Sequence, residues 1–347
     1  MRENCTYGSM RGRAYPITRG VPLYSTPFCR SLGDATYNGW VRNADGTLAG
    51  QLTVKAGKAA KPEKGGQSKL TVAYTPLGGR KQNIKLAKDE MPVAGEVATV
   101  TLPGIGTVKL TGDAIVGVDV DVQAGKDTLK SKDREEKAAS AAAAETKSGA
   151  WTFALNTDAG YAAFSVAVDK KGKGKLSGTL PNGTKVSLSS QGVLGDEALA
   201  VPFACTRKCS FGFVFWVKDG GKVSISDMTA LRLADGTQYE ARTIAPAATG
   251  DLAEGEHTFT AGGVSQQFTV SGGRWNAPKS DRRAEVDPNP TGLKLKFRAK
   301  DGTVSGSFTV ADDGGKVKYT VVGAVVGGRL YGTAYSKKAP SLPATAE

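Results

Sequence analysis

Short stretches in which apolar and polar side chains alternate, separated by tight-turn dipeptides, follow one another along most of the chain from Tyr37 onward. A period of two is typical of β-strands, because successive strand side chains point to opposite faces. The turn dipeptides pair Asp or Asn, which tolerate positive φ, with Gly, which adopts it freely. They are Asp45-Gly46, Asn182-Gly183, Asp219-Gly220, Asp235-Gly236, Asp301-Gly302 and Asp313-Gly314. The pattern predicts many short antiparallel strands joined by hairpins.

Two segments indicate how deeply the predicted strands are buried. In 114–122, Val occupies every second position from 116 to 122, which predicts one strand with a single apolar face. The segment 211–217 reads FGFVFWV and is apolar at odd and even positions alike, which predicts a central strand buried on both faces.

A strand–turn–strand module with Gly and Lys in its turns recurs at 51–81 and 164–186, with a looser copy at 307–318. The spacing is irregular, which indicates a repeated meander and not a solenoid. Meanders of this kind close into barrels or stack into sandwiches.

One helix is predicted over 131–144, where acidic residues in the first turn precede a run of alanines. Its alanine face buries little area, so we expect a connector or a plug over one end of a barrel. The sequence therefore predicts an all-β fold of two antiparallel meander barrels or sandwiches joined by one alanine-rich helix. The predicted divisions are an irregular segment 1–35, a β domain 36–122, a helical connector 123–148 and a second β domain 149–347.

The composition indicates which class of partner the chain could bind. The 347 residues carry 46 Lys and Arg against 33 Asp and Glu, a net charge of +13, which attracts anionic partners. The lysines are scattered and few aromatics lie between them, which favours solvating charges and predicts no nucleic-acid partner.

No stretch is apolar enough to span a membrane, so no membrane insertion is expected. The first residues lack a hydrophobic signal core, as expected of a cytosolic protein or of the downstream part of a longer exported chain.

Four cysteines, Cys5, Cys29, Cys205 and Cys209, allow three pairings. The most local choice joins Cys5 to Cys29 and Cys205 to Cys209. Free thiols and a metal site are the alternatives, but zinc normally takes four ligands and the chain has one histidine.

Several segments together resemble the C-terminal region of large secreted or surface proteins of gut and rumen bacteria, which often carry internalin-type or leucine-rich repeats upstream. They are 36–81, 131–139, 175–186 and 292–303. The resemblance extends over about residues 36–347 and is carried by turns and strands. It implies an extracellular or cell-surface location and upstream domains in a longer chain. It assigns no catalytic residue.

Catalytic motifs are few. The chain has no G-x-S-x-G elbow, P-loop or dinucleotide fingerprint, and its one histidine, His257, is predicted on a strand surface. Pairs of carboxylates at i and i+2 could be the catalytic acids of a glycosidase. Acids that alternate with apolar residues are also typical of the solvent-facing side of a strand. The candidate pairs are Asp119 with Asp121 and Glu254 with Glu256. No cofactor is predicted, except a possible structural calcium held by Asp113, Asp119 and Asp121.

Aromatic residues are the better lead to function, because flat rings stack on sugars. Trp40, Trp151 and Trp216 are predicted to lie in the core. Trp275 lies in a polar, turn-rich stretch beside Arg274 and Asn276, and is predicted to be exposed. Tyr331 and Tyr335 lie at i and i+4 of a predicted strand and share a face. The predicted ligand-binding residues are Arg274, Trp275, Asn276, Tyr331 and Tyr335.

The leading functional hypothesis is a non-catalytic module of an exported bacterial surface protein that binds polysaccharide or a cell-surface partner, with anionic glycans favoured by charge. One alternative is a polysaccharide-active hydrolase that uses a carboxylate pair. The other is a purely structural spacer or sorting domain.

Overall fold

The computed structural model of the chain describes most residues from Ala35 to the C-terminus. The described ranges are 35–57, 69–86, 98–110, 114–195, 197–205, 209–226, 228, 231–281, 283–312 and 315–347. The prediction of an all-β antiparallel fold with one alanine-rich helix is confirmed. Apart from Ala35, the predicted segment 1–35 lies outside the described residues, and so do Cys5 and Cys29.

Eight strands form the first unit, residues 35–126. They are β1 (Ala35–Arg42), β2 (Leu48–Ala56), β3 (Leu70–Pro76), β4 (Gln82–Ile84), β5 (Ala98–Leu102), β6 (Gly106–Leu110), β7 (Ala114–Gly117) and β8 (Asp121–Lys126). The order in the sheet is β4-β3-β2-β1-β8-β7-β6-β5, so hairpin neighbours pair and the first strand also pairs with the last. The sheet is nearly closed and barrel-like, and its apolar side chains form one buried cluster.

A helical connector follows the first unit and consists of a 3-10 turn (Thr128–Lys130) and the helix α1 (Arg134–Glu145). Asp133 caps the helix, because its side chain accepts the backbone N–H groups of Glu135 and Glu136. Of the helical residues only Ser140 and Ala144 are buried, so α1 contributes little to any core, as predicted.

The middle unit, residues 149–248, has two sheets around one aromatic core. Its strands are β9 (Gly149–Thr157), β10 (Gly160–Val168), β11 (Lys173–Thr179), β12 (Lys185–Gln191), β13 (Val193–Leu194), β14 (Ala198–Cys205), β15 (Cys209–Lys218), β16 (Val223–Ile225), β17 (Leu231–Leu233), β18 (Gln238–Tyr239) and β19 (Ala241–Ala248), with a 3-10 turn at Asp219–Gly221. The sheet orders are β12-β11-β10-β9-β19 and β13-β14-β15-β17-β18, with β16 also on β15. The first strand of this unit again pairs with the last.

The last unit, residues 255–346, repeats the plan of the first. Its strands are β20 (Gly255–Ala261), β21 (Val264–Ser271), β22 (Arg274–Asn276), β23 (Lys294–Arg298), β24 (Thr303–Asp312), β25 (Gly315–Val326), β26 (Arg329–Tyr335) and β27 (Leu342–Ala346). The order is β22-β21-β20-β27-β26-β25-β24-β23, so β20 pairs with β27. The predicted second domain, 149–347, includes both the middle and the last unit. The domain boundaries stay a prediction.

Apolar contacts and hydrogen bonds on the outer faces join neighbouring units. Trp40 of β1 meets Trp216 of β15 edge to face, with ring centroids 5.7 Å apart, within a small buried cluster. Between the middle and last units, the Thr333 hydroxyl donates to the Tyr161 carbonyl at 2.8 Å and accepts the Tyr161 N–H at 3.1 Å. These contacts connect the units in chain order.

The prediction of a single strand over 114–122 is wrong, because the chain turns within this segment. β7 ends at Gly117, β8 begins at Asp121, and the two pair antiparallel. A Cβ at Gly117 would lie 1.7 Å from the carbonyl oxygen of Val120, so this tight bend needs glycine there. Val118 is consequently 61% exposed, while Val122 is buried in the first core. The strand predicted at 211–217 to be buried on both faces is confirmed as part of β15, because 211–215 are buried at odd and even positions alike.

We expect Gly39→Ala to destabilise the first unit by about 1–3 kcal/mol, the usual cost of overpacking. Gly39 lies on β1 opposite Ala124 of β8, and an added Cβ would lie 2.0 Å from the Gln123 carbonyl oxygen. Hydrogen exchange of peptides from 35–126 should show faster exchange in the variant. Gly57→Ala is the control, since its new Cβ would have an ordinary contact of 3.4 Å. Equal effects of the two changes would contradict the expectation.

Candidate binding site on the last unit

Strand β25 presents lysines and a threonine on its outer face because its sequence alternates. Tyr319 and Val321 point inward and are buried, whereas Lys316, Lys318 and Thr320 are exposed. Neighbouring side chains on one strand face lie about 6.6–6.8 Å apart. The alternation therefore aligns two ammonium groups and a hydroxyl along one line.

The register of the adjoining strands extends this line into a basic face. Thr320 lies opposite Ser307 of β24 and Tyr335 of β26. On β23, Lys294 lies opposite Ser307, and Lys296 lies opposite Ser305. Cations and hydroxyl groups consequently stand side by side across four strands.

A groove of about 430 Å³, here called the lysine groove, opens on this face. Its lining consists of Lys316, Lys318, Thr320, Tyr335, Ser336, Lys337 and Lys338. No lining residue is acidic, and none of the four lysines forms an ion pair with a described carboxylate. Like charges gathered in a concave surface focus a positive potential that attracts anions.

Tyr335 connects the lysine groove to the middle unit. Its ring lies against the turn between β11 and β12, where a Cβ at Gly183 would come within 2.7 Å of ring carbons. Gly183 has a φ of 82°, a conformation that glycine adopts freely. One part of the tyrosine ring is covered by this turn, and the half-buried ring still lines the groove.

A second concavity, the interunit cleft, has a volume of about 470 Å³ and lies between β11–β12 of the middle unit and β23–β25 of the last. Its polar lining comprises Lys185, Lys296 and Arg298 with Ser177, Thr179, Ser187, Thr303 and Ser305. Lys185 and Lys296 are exposed and, among the described residues, have no carboxylate partner.

Arg298 differs from these two lysines because it is paired with an acid. Its Nε donates to Asp301 at 2.8 Å, and its terminal nitrogen makes a second bond to the same carboxylate. Burial of Asp301 opposes its ionisation, but hydrogen bonds from Arg298 and Thr303 outweigh this effect and lower the pKa of Asp301. The carboxylate stays ionised at neutral pH, so Lys185 and Lys296 supply the unpaired charge of the cleft.

The structure contradicts the prediction that Trp275 is exposed. Its exposed fraction is 7%, and its indole N–H donates to Asp251 at 2.7 Å. The ring stacks on Phe297 with centroids 5.6 Å apart. Because Trp275 pairs with the buried Val270 on β21, its side chain points into the core of the last unit.

The other predicted ligand-binding residues are dispersed. Arg274 and Asn276 are exposed on β22 but line neither groove. Tyr331 packs edge to face on Tyr161, with centroids 5.3 Å apart, in the contact between the middle and last units. Only Tyr335 of the predicted set lines a groove.

Two of the four candidate carboxylates accept backbone N–H groups at turns. Asp119 lies in the bend between β7 and β8, not on a strand with Asp121, and accepts the Thr107 N–H at 2.7 Å. Asp121 lies 3.9 Å from Arg42. Glu254 accepts the N–H of the turn residue Gly272. None of these acids lines either groove, so the structure does not bring a candidate pair into a described concavity.

Glu256 is exposed on β20 and also lies outside both grooves. His257 is half-buried, and its Nε2 donates to the Ala253 carbonyl at 2.7 Å. The calcium candidate Asp113 lies outside the described residues. Within them, no group of three or more His, Cys, Asp or Glu side chains could hold a metal ion.

The predicted disulfide between Cys205 and Cys209 is confirmed, with a Cα–Cα separation of 5.7 Å. It joins the end of β14 to the start of β15. Trp40 and Trp151 are buried as predicted, although Trp40 packs between units and only Trp151 belongs to a unit's own core. Trp216 is half-buried beside Trp40.

Sequence reasoning missed the lysines that line the two grooves. The signal was present at 294–298 (KLKFR) and 316–320 (KVKYT), where cations alternate with apolar residues. Alternation of this kind predicts cations on one strand face. The local pattern does not show that these two segments belong to one sheet.

Comparison of the chain with protein-family models, with curated proteins and with solved structures finds no match. Among the described residues, no helix has the length and apolarity needed to cross a membrane.

Proposed function

We propose that this chain is a non-catalytic binding module whose lysine groove holds an acidic polysaccharide. One observation carries the proposal: four lysines surround a tyrosine ring and two hydroxyl side chains, with no acid in the lining. Each element has a counterpart in an acidic sugar, since carboxylates or sulfates pair with ammonium groups. Hydroxyl groups both donate and accept hydrogen bonds, as sugar hydroxyls do. The apolar face of the sugar ring can lie on the exposed part of the tyrosine.

The same lining argues against two other ligands. A neutral glycan would leave four ammonium groups without a countercharge, so charge favours an acidic one. Single-stranded nucleic acid is normally held by successive aromatic rings on which bases stack. The lysine groove offers one ring, Tyr335, which is already half-covered. Acidic polysaccharide is therefore the better match.

We also propose an extracellular or cell-surface location within a longer exported chain, as the resemblance implies. The disulfide between Cys205 and Cys209 supports this, because disulfides persist in oxidising compartments and are rare in the cytosol.

The proposal is tested by titrating the full chain with polygalacturonate and with its methyl ester, which has the same backbone without the charge. We expect binding of the acid form only, weakening as salt is added. Replacing Lys316, Lys318, Lys337 and Lys338 together by Gln should weaken binding about tenfold. Exposed ion pairs contribute about 0.2–1 kcal/mol each, and tenfold corresponds to about 1.4 kcal/mol.

The matched control replaces four exposed lysines of the first and middle units by Gln, which lowers the net charge equally. These are Lys55, Lys109, Lys218 and Lys222. The control should bind within about threefold of the wild type. Equal losses in both variants would show that net charge, and not the groove, is responsible. Tighter binding of a single-stranded oligonucleotide would favour nucleic acid, and absence of any binding by the folded chain would favour a structural spacer.

A further inference from the structure

The lysine groove and the interunit cleft follow one another along the same strand. Lys316, Lys318 and Thr320 of β25 line the lysine groove, and the next outward residue, Val322, lines the cleft. Neighbouring outward positions on a strand are separated by only about 6.6–6.8 Å. A ligand lying along β25 can therefore leave one concavity and enter the other.

The far wall of the cleft belongs to the middle unit. On its outer face, Lys185 of β12 lies opposite Thr179 of β11, and Ser187 lies opposite Ser177. These side chains face Lys296 and Ser305 of the last unit across the cleft. Both walls thus present one unpaired cation and several hydroxyl groups.

Contacts away from the cleft hold its two walls together. The Thr333 hydroxyl is fully buried and bonds to both the N–H and the carbonyl of Tyr161. Ala154 and Ala324 are buried in one apolar cluster between the same two units. A site fixed in this way does not have to be ordered by its ligand, which favours binding.

We infer that one extended polyanionic chain occupies both concavities, running along β25 from the lysine groove into the interunit cleft. There Lys185 and Lys296 bind successive acidic groups from opposite sides. The six-residue step from Lys316 to Val322 alone corresponds to about 20 Å of strand, so only an oligomer can fill the track. The inference rests on the proposed function, and it adds that two units together bind one polymeric ligand.

Size-defined oligogalacturonates, from the dimer to the decamer, test this inference by calorimetric titration of the full chain. We expect wild-type affinity to rise with length and then reach a plateau once both concavities are filled, as linked binding events require. In the double variant Lys185→Gln/Lys296→Gln, decamer affinity should fall about tenfold, while dimer affinity should change less than twofold. The control, Lys218→Gln/Lys222→Gln, should match the wild type at every length.

A second measurement locates the ligand directly. Acetylation of lysines, followed by mass spectrometry, should show that the decamer protects Lys185, Lys296, Lys316 and Lys318 together. Protection of Lys316 and Lys318 alone, or decamer affinity unchanged by the cleft variant, would overturn the two-unit track and leave the lysine groove as the site. Absence of binding of any oligomer by the wild type would instead remove the proposed function itself.

Discussion

Replacing Phe213 by Ala should destabilise the middle unit by about 3–5 kcal/mol, the usual cost of removing a buried phenylalanine ring. Phe213 is fully buried on β15. Its ring meets Phe153 of β9 edge to face at 5.4 Å and lies tilted against Phe203 of β14 at 5.6 Å. Because β9 and β15 belong to different sheets, this ring fills the space between them, and Ala would leave a cavity at their contact.

Hydrogen exchange measured by mass spectrometry can assign the loss to one unit. Peptides from 149–248 should exchange faster in Phe213→Ala, while peptides from 35–126 should keep most of their protection, since the units have separate cores. Val118→Ala is the control, because Val118 is 61% exposed and its truncation should change stability by less than about 0.5 kcal/mol. Uniform loss of protection along the whole chain would show that the units unfold as one.

The hairpins were predictable because their information is local. The Asn182-Gly183 and Asp235-Gly236 dipeptides place glycines with φ of 82° and 91° in turns between strands. The pairing of first with last strands was not predictable in this way. Asn38 lies opposite Gly125 although 87 residues separate them in the numbering, and no adjacent residue encodes that contact. The number of units depends on these long-range pairings, so local turn signals alone do not determine it.

The candidate site was hidden for a related reason. Lys296 lies on β23, Lys316 on β25 and Lys337 just after β26, and the sheet order of the last unit brings these segments together. Lys185 is added by the contact between two units. Local patterning gives the face of a strand on which a side chain lies, but only strand register and the packing of units decide which cations share a concavity.

Trp275→Ala is the second change with a large expected effect, and it separates a core role from a ligand-binding one. We expect the last unit to lose about 3–5 kcal/mol of stability, because the ring is buried between Phe268 and Phe297. The change also removes the donor to Asp251. Urea unfolding followed by exchange of peptides from 255–346 measures the loss.

The conservative variant Trp275→Phe keeps a ring in the core but cannot donate to Asp251. We expect it to lose about 1.5–3 kcal/mol, the contribution of a hydrogen bond to a charged group. Because the ring does not line either concavity, the affinity of the folded variant for polygalacturonate should stay within about twofold of the wild type. A variant with unchanged unfolding but lost binding would instead assign Trp275 to a sugar-binding surface. That outcome would contradict the inward orientation that its pairing with Val270 imposes.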